Sequence, residues 1–444
     1  MKINDITIKV NHFGPLEGVS FKLAPMMIFT GMSSLGKSYA NYLVYYFMSA
    51  VCNGKFYDIV KDDENIEETW QYVFDLDAFF KELSERAETY MRKFLGDDEL
   101  KCDVEFKSLK RNRTFTIELK KVKTEIYEKK EEKAPPFFHA SQVYEISFNG
   151  GIRRTLPHIS YVKFYVGREL QDFVLGDHVT RAVILPPGRG AFVGENFSMK
   201  SEVASSMNMY NLFFRDYDNG INNKIRFREE NNHHLSDRLL KLTSGGELLS
   251  VEGKQYLQLD EGHRIALSAG ASSVKDLSPW LFYLKDSWIL PYSFCMEEPE
   301  AHQHPSVTVQ IADVMAIAMH QFKSIFHLTT HSDYLIQRLN QLVKLGSIRR
   351  KNRDFFKKIC DERGLDVYSY LDAKDIHAYY FRKGEKGKTV VEKLDVTDDG
   401  IPMKSFFDVV RDLENREEYI NDAIYSLDKN QLSTYSDTDF LALH

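Results

Sequence analysis

This 444-residue chain has little cysteine and no long apolar run. Its four cysteines, Cys52, Cys102, Cys295 and Cys360, stand far apart and form no CxxC pair. That spacing excludes a zinc ribbon and a disulfide framework, and it points to a reducing compartment. No apolar stretch approaches the roughly 20 residues that a membrane-spanning helix needs, so no membrane partner is expected. The opening residues, Met1-Lys2-Ile3-Asn4-Asp5, are polar and lack a signal-peptide core, so a cytoplasmic location is expected. Positive charge is not in excess either. A formal net charge of −7 excludes a uniformly basic, histone-like nucleic-acid binder while leaving room for a local patch. No internal repeat is visible and no heptad is sustained over several turns. What is present, 43% hydrophobic and 13% aromatic residues, suffices for a large core in two or three lobes.

The most informative segment is Gly31-Met32-Ser33-Ser34-Leu35-Gly36-Lys37-Ser38, a complete Walker A motif. Met26-Met27-Ile28-Phe29-Thr30 before it reads as an apolar strand. After it, Ala40, Leu43, Val44, Phe47, Met48 and Val51 recur at helical spacing. Strand, glycine loop and helix together make a phosphate nest. Gly31 and Gly36 let backbone N–H groups turn inward around Ser33 and Ser34, and the helix N-terminus adds its positive end. Lys37 reaches the β- and γ-phosphates, and Ser38 holds magnesium. The chemistry is nucleoside triphosphate binding, with ATP and Mg2+ as the expected ligands.

A second element lies far along the chain. Tyr292-Ser293-Phe294-Cys295-Met296 is a short apolar run ending in Glu297-Glu298-Pro299-Glu300, the form of a Walker B strand. Adjacent carboxylates at a strand tip repel each other unless a cation lies nearby. Glu297 can anchor the magnesium, directly or through water, and Glu298 can polarise the attacking water as general base. Pro305 then starts a helix with Val307, Ile311, Val314, Met315 and Ala318 on one face. A further strand, Ser324-Ile325-Phe326-His327-Leu328-Thr329-Thr330, ends at His331, which can stand at the γ-phosphate as sensor or water positioner.

Between these elements the pattern changes. Residues 1–56 read as a β hairpin (Ile6, Ile8 and Val10, then Gly14-Pro15, then Val19, Phe21 and Leu23) leading to the nucleotide loop. Residues 57–180 read as an insertion, helical around 79–94 and then β-rich, with a charged run at 128–133. Residues 181–345 hold the rest of the core and 346–444 a C-terminal cap. The basic clusters at 107–113 (KSLKRNR) and 349–358 (RRKNRDFFKK) could contact phosphate, although clusters this short commonly form solvated faces. Asp395, Asp398 and Asp399, beside Gly400-Ile401-Pro402, read as a turn and not as a metal cluster.

The Walker A segment, Glu297-Glu298-Pro299-Glu300-Ala301-His302-Gln303-His304-Pro305 and Thr329-Thr330-His331-Ser332 resemble the motifs of ABC-type ATPase heads of the class that holds RecF, the SMC proteins and the OLD family. The EEPEAHxHP form with TTHS resembles the OLD-like branch most. Leu185-Pro186-Pro187-Gly188-Arg189 is similar to that branch's strand-to-loop segment, and 376–381 with 396–407 to its terminal strand and helix. The resemblance implies an α/β fold: an ABC-type P-loop ATPase head with a mixed β-sheet core, an antiparallel N-terminal β lobe and a helical and β insertion. It implies Glu298 as catalytic base, Glu297 as metal support and His331 as switch histidine. It also implies that two heads sandwich ATP, with a signature serine from one completing the other's site. Ala271-Ser272-Ser273 is the candidate, with Val274 where the family carries glycine, so either Ser272 or Ser273 can fill the role.

The stretch from Lys37 to Glu297 is too short and too aperiodic for the long coiled coil of SMC-type proteins. The segment beyond His331 shows no acidic cluster of a Toprim nuclease. The chain therefore resembles a stand-alone ATPase subunit of two-gene anti-phage systems of the PARIS or Septu type. That resemblance implies an ATP-hydrolysing sensor or scaffold, homo-oligomeric, that holds or activates a separate effector protein, a nuclease. Two alternatives stand beside it: a RecF- or SMC-like repair ATPase that clamps DNA, and a non-catalytic scaffold stabilised by ATP.

Overall fold

The computed structural model describes residues 3–52, 56–60, 68–129, 137–151, 153–193, 208–222, 246–251, 254–259, 262–285 and 291–426. The acidic stretch at 62–64 and part of the 128–133 run lie outside them. Residues 1–401 form one compact unit and 402–444 a second.

The first unit begins with a hairpin, β1 (Ile6–Phe13) and β2 (Leu16–Lys22), closed at Gly14 and Pro15. β3 (Met26–Gly31) comes next, buried at every residue as a central strand covered on both faces must be. It leads through the glycine loop into α1 (Lys37–Cys52), which is buried along nearly its whole length. After β4 (Thr69–Asp75), the Asp75 side chain accepts from the Asp77 and Ala78 amides to start α2 (Leu76–Leu95), and Gly96 ends it in the left-handed region. Then come β5 (Cys102–Ser108), β6 (Thr114–Lys129), β7 (Phe137–Phe148), β8 (Arg154–Leu156), α3 (Ile159–Leu175), β9 (Arg181–Leu185) and α4 (Met209–Asn222). β10 (Gly246–Val251), β11 (Lys254–Leu259) and β12 (Arg264–Ala266) precede α5 (Ser272–Lys285). The chain continues with β13 (Tyr292–Glu297), α6 (Pro305–Gln321), β14 (Ile325–Thr329), α7 (Asp333–Lys351), α8 (Arg353–Arg363), β15 (Ile376–Lys383) and β16 (Thr389–Leu394). The second unit contributes α9 (Lys404–Ser426).

The core is a six-stranded mixed sheet in the order β16-β15-β3-β14-β13-β9, in which only the edge strand β16 is antiparallel. β3 and β13 sit on either side of β14, so the Walker A loop, the paired glutamates and His331 all leave the same carboxyl edge of the sheet. That edge is where open α/β sheets bind ligands. A three-stranded antiparallel sheet, β2-β1-β5, covers one face through an aromatic cluster: Phe21 lies 5.5 Å from Phe29 and 5.2 Å from Tyr379. The remaining strands form two further antiparallel sheets, β4-β6-β7-β8 and β10-β11-β12.

Two boundaries read from the sequence are crossed by strand pairing. β5 lies within the 57–180 stretch yet pairs with β1 of the N-terminal lobe, from Ile6↔Ser108 to Phe13↔Cys102. β15 lies within the 346–444 stretch yet pairs in parallel with the P-loop strand, from Ile376↔Met26 to Phe381↔Gly31. Both pairings join segments far apart in the chain, which local periodicity does not report. Among the described residues no helix is long and apolar enough to cross a membrane.

Candidate functional site

The nucleotide loop is shaped by its neighbours as well as by its own residues. Gly31 has φ 115°, and a Cβ there would sit 2.2 Å from the Phe381 carbonyl oxygen. Gly36 has φ 92°, and a Cβ there would sit 2.7 Å from Leu16 Cδ2. Only glycine fits at either position. Ser33 and Ser34 are exposed on the rim, Ser34 in the left-handed region at φ 60°, while Leu35 is buried as the loop's anchor. Lys37 opens α1 and is itself buried. Its Nζ donates to the Met32 carbonyl at 2.7 Å and to the Gly31 carbonyl at 3.2 Å. Burial pushes its pKa down, against the opposing pull of Glu298, Glu297 and Glu300. An ammonium folded onto its own loop in this way is ready to exchange those carbonyls for phosphate oxygens.

Glu297 ends β13 with its carboxylate buried and fully engaged. Oε2 accepts from Ser38 Oγ at 2.5 Å and from Thr329 Oγ1 at 3.0 Å, and Oε1 accepts from Asn41 Nδ2 at 2.8 Å. Burial raises its pKa although all three donors oppose the shift. Ser38 and Glu297 thus present hard oxygen ligands side by side. That donor set suits magnesium, which takes one or two carboxylates and completes its shell with phosphate and water. No group of three or more His, Cys, Asp or Glu suited to a metal occurs among the described residues. Asp398 is instead held in its turn by Ser347 and Arg350.

Glu298 differs sharply from its neighbour. It sits at φ 44°, a strained conformation for a non-glycine residue, and its side chain is 48% exposed. Its amide is tied to Thr329 (Oγ1 at 3.3 Å, carbonyl oxygen at 3.2 Å), and its Oε1 lies 3.9 Å from His331 Nε2. Burial and the nearby Lys37 push the His331 pKa down, so this imidazole is neutral near pH 7 and can accept or relay a proton. One buried carboxylate beside a hydroxyl and one exposed carboxylate beside a neutral imidazole are the parts that metal support and water activation each require.

Ser272 and Ser273 lie at the start of α5, Ser272 exposed and Ser273 half-buried. Neither hydroxyl takes part in a hydrogen bond among the described residues, and no bond joins them to this chain's own nucleotide loop. The Ser273 carbonyl accepts from Gln303 Nε2 at 2.8 Å, which ties the serines to the loop after Glu298. Deeper in α5, buried Asp276 accepts from the Gly190 amide at 2.8 Å and pairs with His302 Nδ1 at 2.6 Å.

Several residues at this site escape a reading of the sequence. Asn41 holds Glu297 yet looks like an ordinary helix residue, and Thr329, visible only as part of the TTHS motif, holds it from the neighbouring strand. Arg189, noticed only inside a motif, is 1% exposed and reaches the Asp276 carbonyl at 2.7 Å and the Glu297 carbonyl at 2.8 Å. It therefore links the Ser272–Ser273 helix to the Walker B strand. The basic clusters are spent only in part within the chain: Lys107 pairs with Glu105, Arg113 with Asp77, Arg350 with Asp372 and Asp398, and Arg349 lies over the Tyr370 ring at 4.2 Å, while Arg111, Lys351, Arg353 and Lys357 are exposed.

Strand order and site together define an α/β fold in which a mixed six-stranded sheet carries a P-loop and paired glutamates at its carboxyl edge. No family model matches the sequence, and no curated protein matches it. Among solved structures the chain is similar to an SMC head bound to the C-terminal winged-helix domain of ScpA (12% identity, 89% of this chain and 98% of that one, TM-score 0.37). It is also similar to the SMC head domain from Thermotoga maritima (10% identity, 89% and 100%, TM-score 0.32). A third is the Pyrococcus furiosus SMC head with an extended coiled coil, bound to the C-terminal domain of ScpA (10% identity, 93% and 99%, TM-score 0.36). At such low TM-scores these likenesses are distant.

Proposed function

We propose that this protein is an ATP-binding and ATP-hydrolysing scaffold whose active sites are shared between copies of the chain. The observation that carries the reading is the convergence of Lys37, Ser38, Glu297, Glu298 and His331 at one sheet edge, with the Ser38–Glu297 contact at its centre. Loop amides around Ser33, Ser34 and Gly36 hold the phosphates together with Lys37. Ser38 and Glu297 hold magnesium, which when bound offsets phosphate charge. Glu298 takes the proton of the attacking water, and His331 orients that water beside the γ-phosphate. Ser272 and Ser273 serve the partner's nucleotide in a homo-oligomer.

The biological setting rests on the motif resemblance: a sensor subunit of an anti-phage system, holding a separate nuclease effector. Two measurements test the proposal. Lys37→Ala should abolish MgATP binding by titration calorimetry, and unchanged affinity would remove the P-loop reading. Co-purification with the product of the adjacent gene, combined with mass measurement, should yield a defined complex. Salt-dependent duplex binding without a partner would favour the repair reading instead.

A further inference from the structure

Glu300 neither holds the metal nor activates water in the proposed reaction, yet its carboxylate is bonded as heavily as that of Glu297. Its Oε1 accepts three hydrogen bonds from consecutive residues of another segment: Thr330 Oγ1 at 2.6 Å, the His331 amide at 2.8 Å and the Ser332 amide at 3.1 Å. Its Oε2 is buried and has no partner among the described residues. A carboxylate with one oxygen saturated and the other stranded is costly to keep unless the three bonds made by the first oxygen offset that cost. The contacts also sit at the N-terminus of α7, where Ser332 caps the helix by accepting from Leu335, so the helix dipole favours the negative charge there.

The geometry points to Glu300 as a positioning residue that fixes His331 relative to Glu298. Glu298 and Glu300 belong to one tight turn, in which the Ala301 amide donates to the Glu298 carbonyl and the Gln303 amide to the Glu300 carbonyl, both at 3.0 Å. The Glu298 amide is in turn bonded to Thr329. Two successive residues of the β14 exit, Thr329 and Thr330, are thus each bound to a glutamate of the turn. The segment carrying the base and the segment carrying the imidazole are clamped at two points, and Glu300 supplies the point adjacent to His331. This inference rests on the proposed roles of Glu298 and His331.

The test compares Glu300→Gln, Glu300→Asp and Glu300→Ala in the full chain, with Glu298→Gln as control, by MgATP hydrolysis and nucleotide affinity. Small displacements of a catalytic group cost up to about a hundredfold, so Glu300→Ala should lower kcat roughly 10- to 100-fold while MgATP affinity stays within about twofold. Glu300→Gln keeps an acceptor oxygen at the same reach and should retain most of the rate. Glu300→Asp is one methylene short and should fall between them. Amide hydrogen exchange at His331 and Ser332 should rise in the Ala variant and stay near wild type in the Gln variant. A full rate in Glu300→Ala, or Gln as slow as Ala, would overturn the proposal. Should Ala fail to fold, the order of Gln above Asp decides in its place. Wild-type hydrolysis by Glu298→Gln would instead remove the base reading, and the exchange data would still report whether Glu300 holds the His331 segment.

Discussion

Ser38 Oγ donates a 2.5 Å hydrogen bond to Glu297 Oε2, joining two residues 259 positions apart in the chain. The contact exists because β3 and β13 flank β14 in parallel register, which brings the start of α1 against the tip of β13. Asn41, one helical turn beyond Ser38, bonds the other carboxylate oxygen, so α1 grips Glu297 from two positions. Glu298, one residue further on, escapes this grip because its backbone turns into the left-handed region. Adjacent glutamates are thereby given opposite environments.

That difference in environment separates binding from turnover. Glu298→Gln keeps size and hydrogen-bonding capacity but removes the base. It should bind MgATP normally, hydrolyse it at least roughly tenfold more slowly, and accumulate in the ATP-bound assembly. Single-turnover phosphate release decides this. A wild-type rate would move the base to another group.

The two serines at the start of α5 make completion of the site in trans testable. Lys37→Ala subunits and Ser272→Arg/Ser273→Arg subunits should each be inactive alone, one for its own loop and the other for its partner's site. Mixed under conditions where subunit exchange is demonstrated, they should regain hydrolysis, since one intact site per pair can form. No recovery would place the signature elsewhere or leave the ATPase without a sandwich.

Burial raises the Glu297 pKa above its ordinary value of 4.5, so the folded protein holds that proton to higher pH than the unfolded chain does. The resulting stability is fully present below the ordinary value and is lost as pH rises through the raised one. In magnesium-free protein, Glu297→Gln removes this loss. The stability of the variant relative to wild type should therefore increase as pH rises from about 4.5 towards neutrality. Urea unfolding across that range measures it, and a difference independent of pH would show that Glu297 is not strained by its burial.

Arg189 is the buried cation between Asp276 and the Glu297 backbone. Replacement by Met fills the space but leaves the Asp276, Pro186 and Glu297 carbonyls without their donor, at a cost of about 1–3 kcal/mol for each one left unsatisfied. Arg189→Lys should recover little of this, because a single ammonium cannot reproduce the guanidinium fork. Chemical denaturation of both variants is the measurement.

The local parts of this molecule were legible in the sequence, because strand–loop–helix periodicity and turn chemistry act over a few residues. The 26–52 unit, the Pro305 helix start, the strand before His331 and the hairpin at Gly14-Pro15 all arise from such signals. The hidden parts depend on register between distant segments. β5 closing the N-terminal lobe and β15 entering the core sheet are alternating strands like many others, and nothing local names their partners. The site divides in the same way. Motif residues were visible, whereas Asn41 and Asp276 acquire their roles only from the groups that the fold places opposite them.

The position of β3 also sets a timetable for synthesis. The strand that bears the nucleotide loop leaves the ribosome well before both of its neighbours, β14 and β15, which follow in the last third of this sequence. Until Phe381 arrives, Gly31 and Met32 lack the backbone on which they rest, and β3 exposes an apolar strand with two unpaired edges. A nascent or truncated chain ending before residue 376 should therefore be blind to ATP and prone to aggregate, so that nucleotide binding certifies that almost the whole first unit has been made and folded.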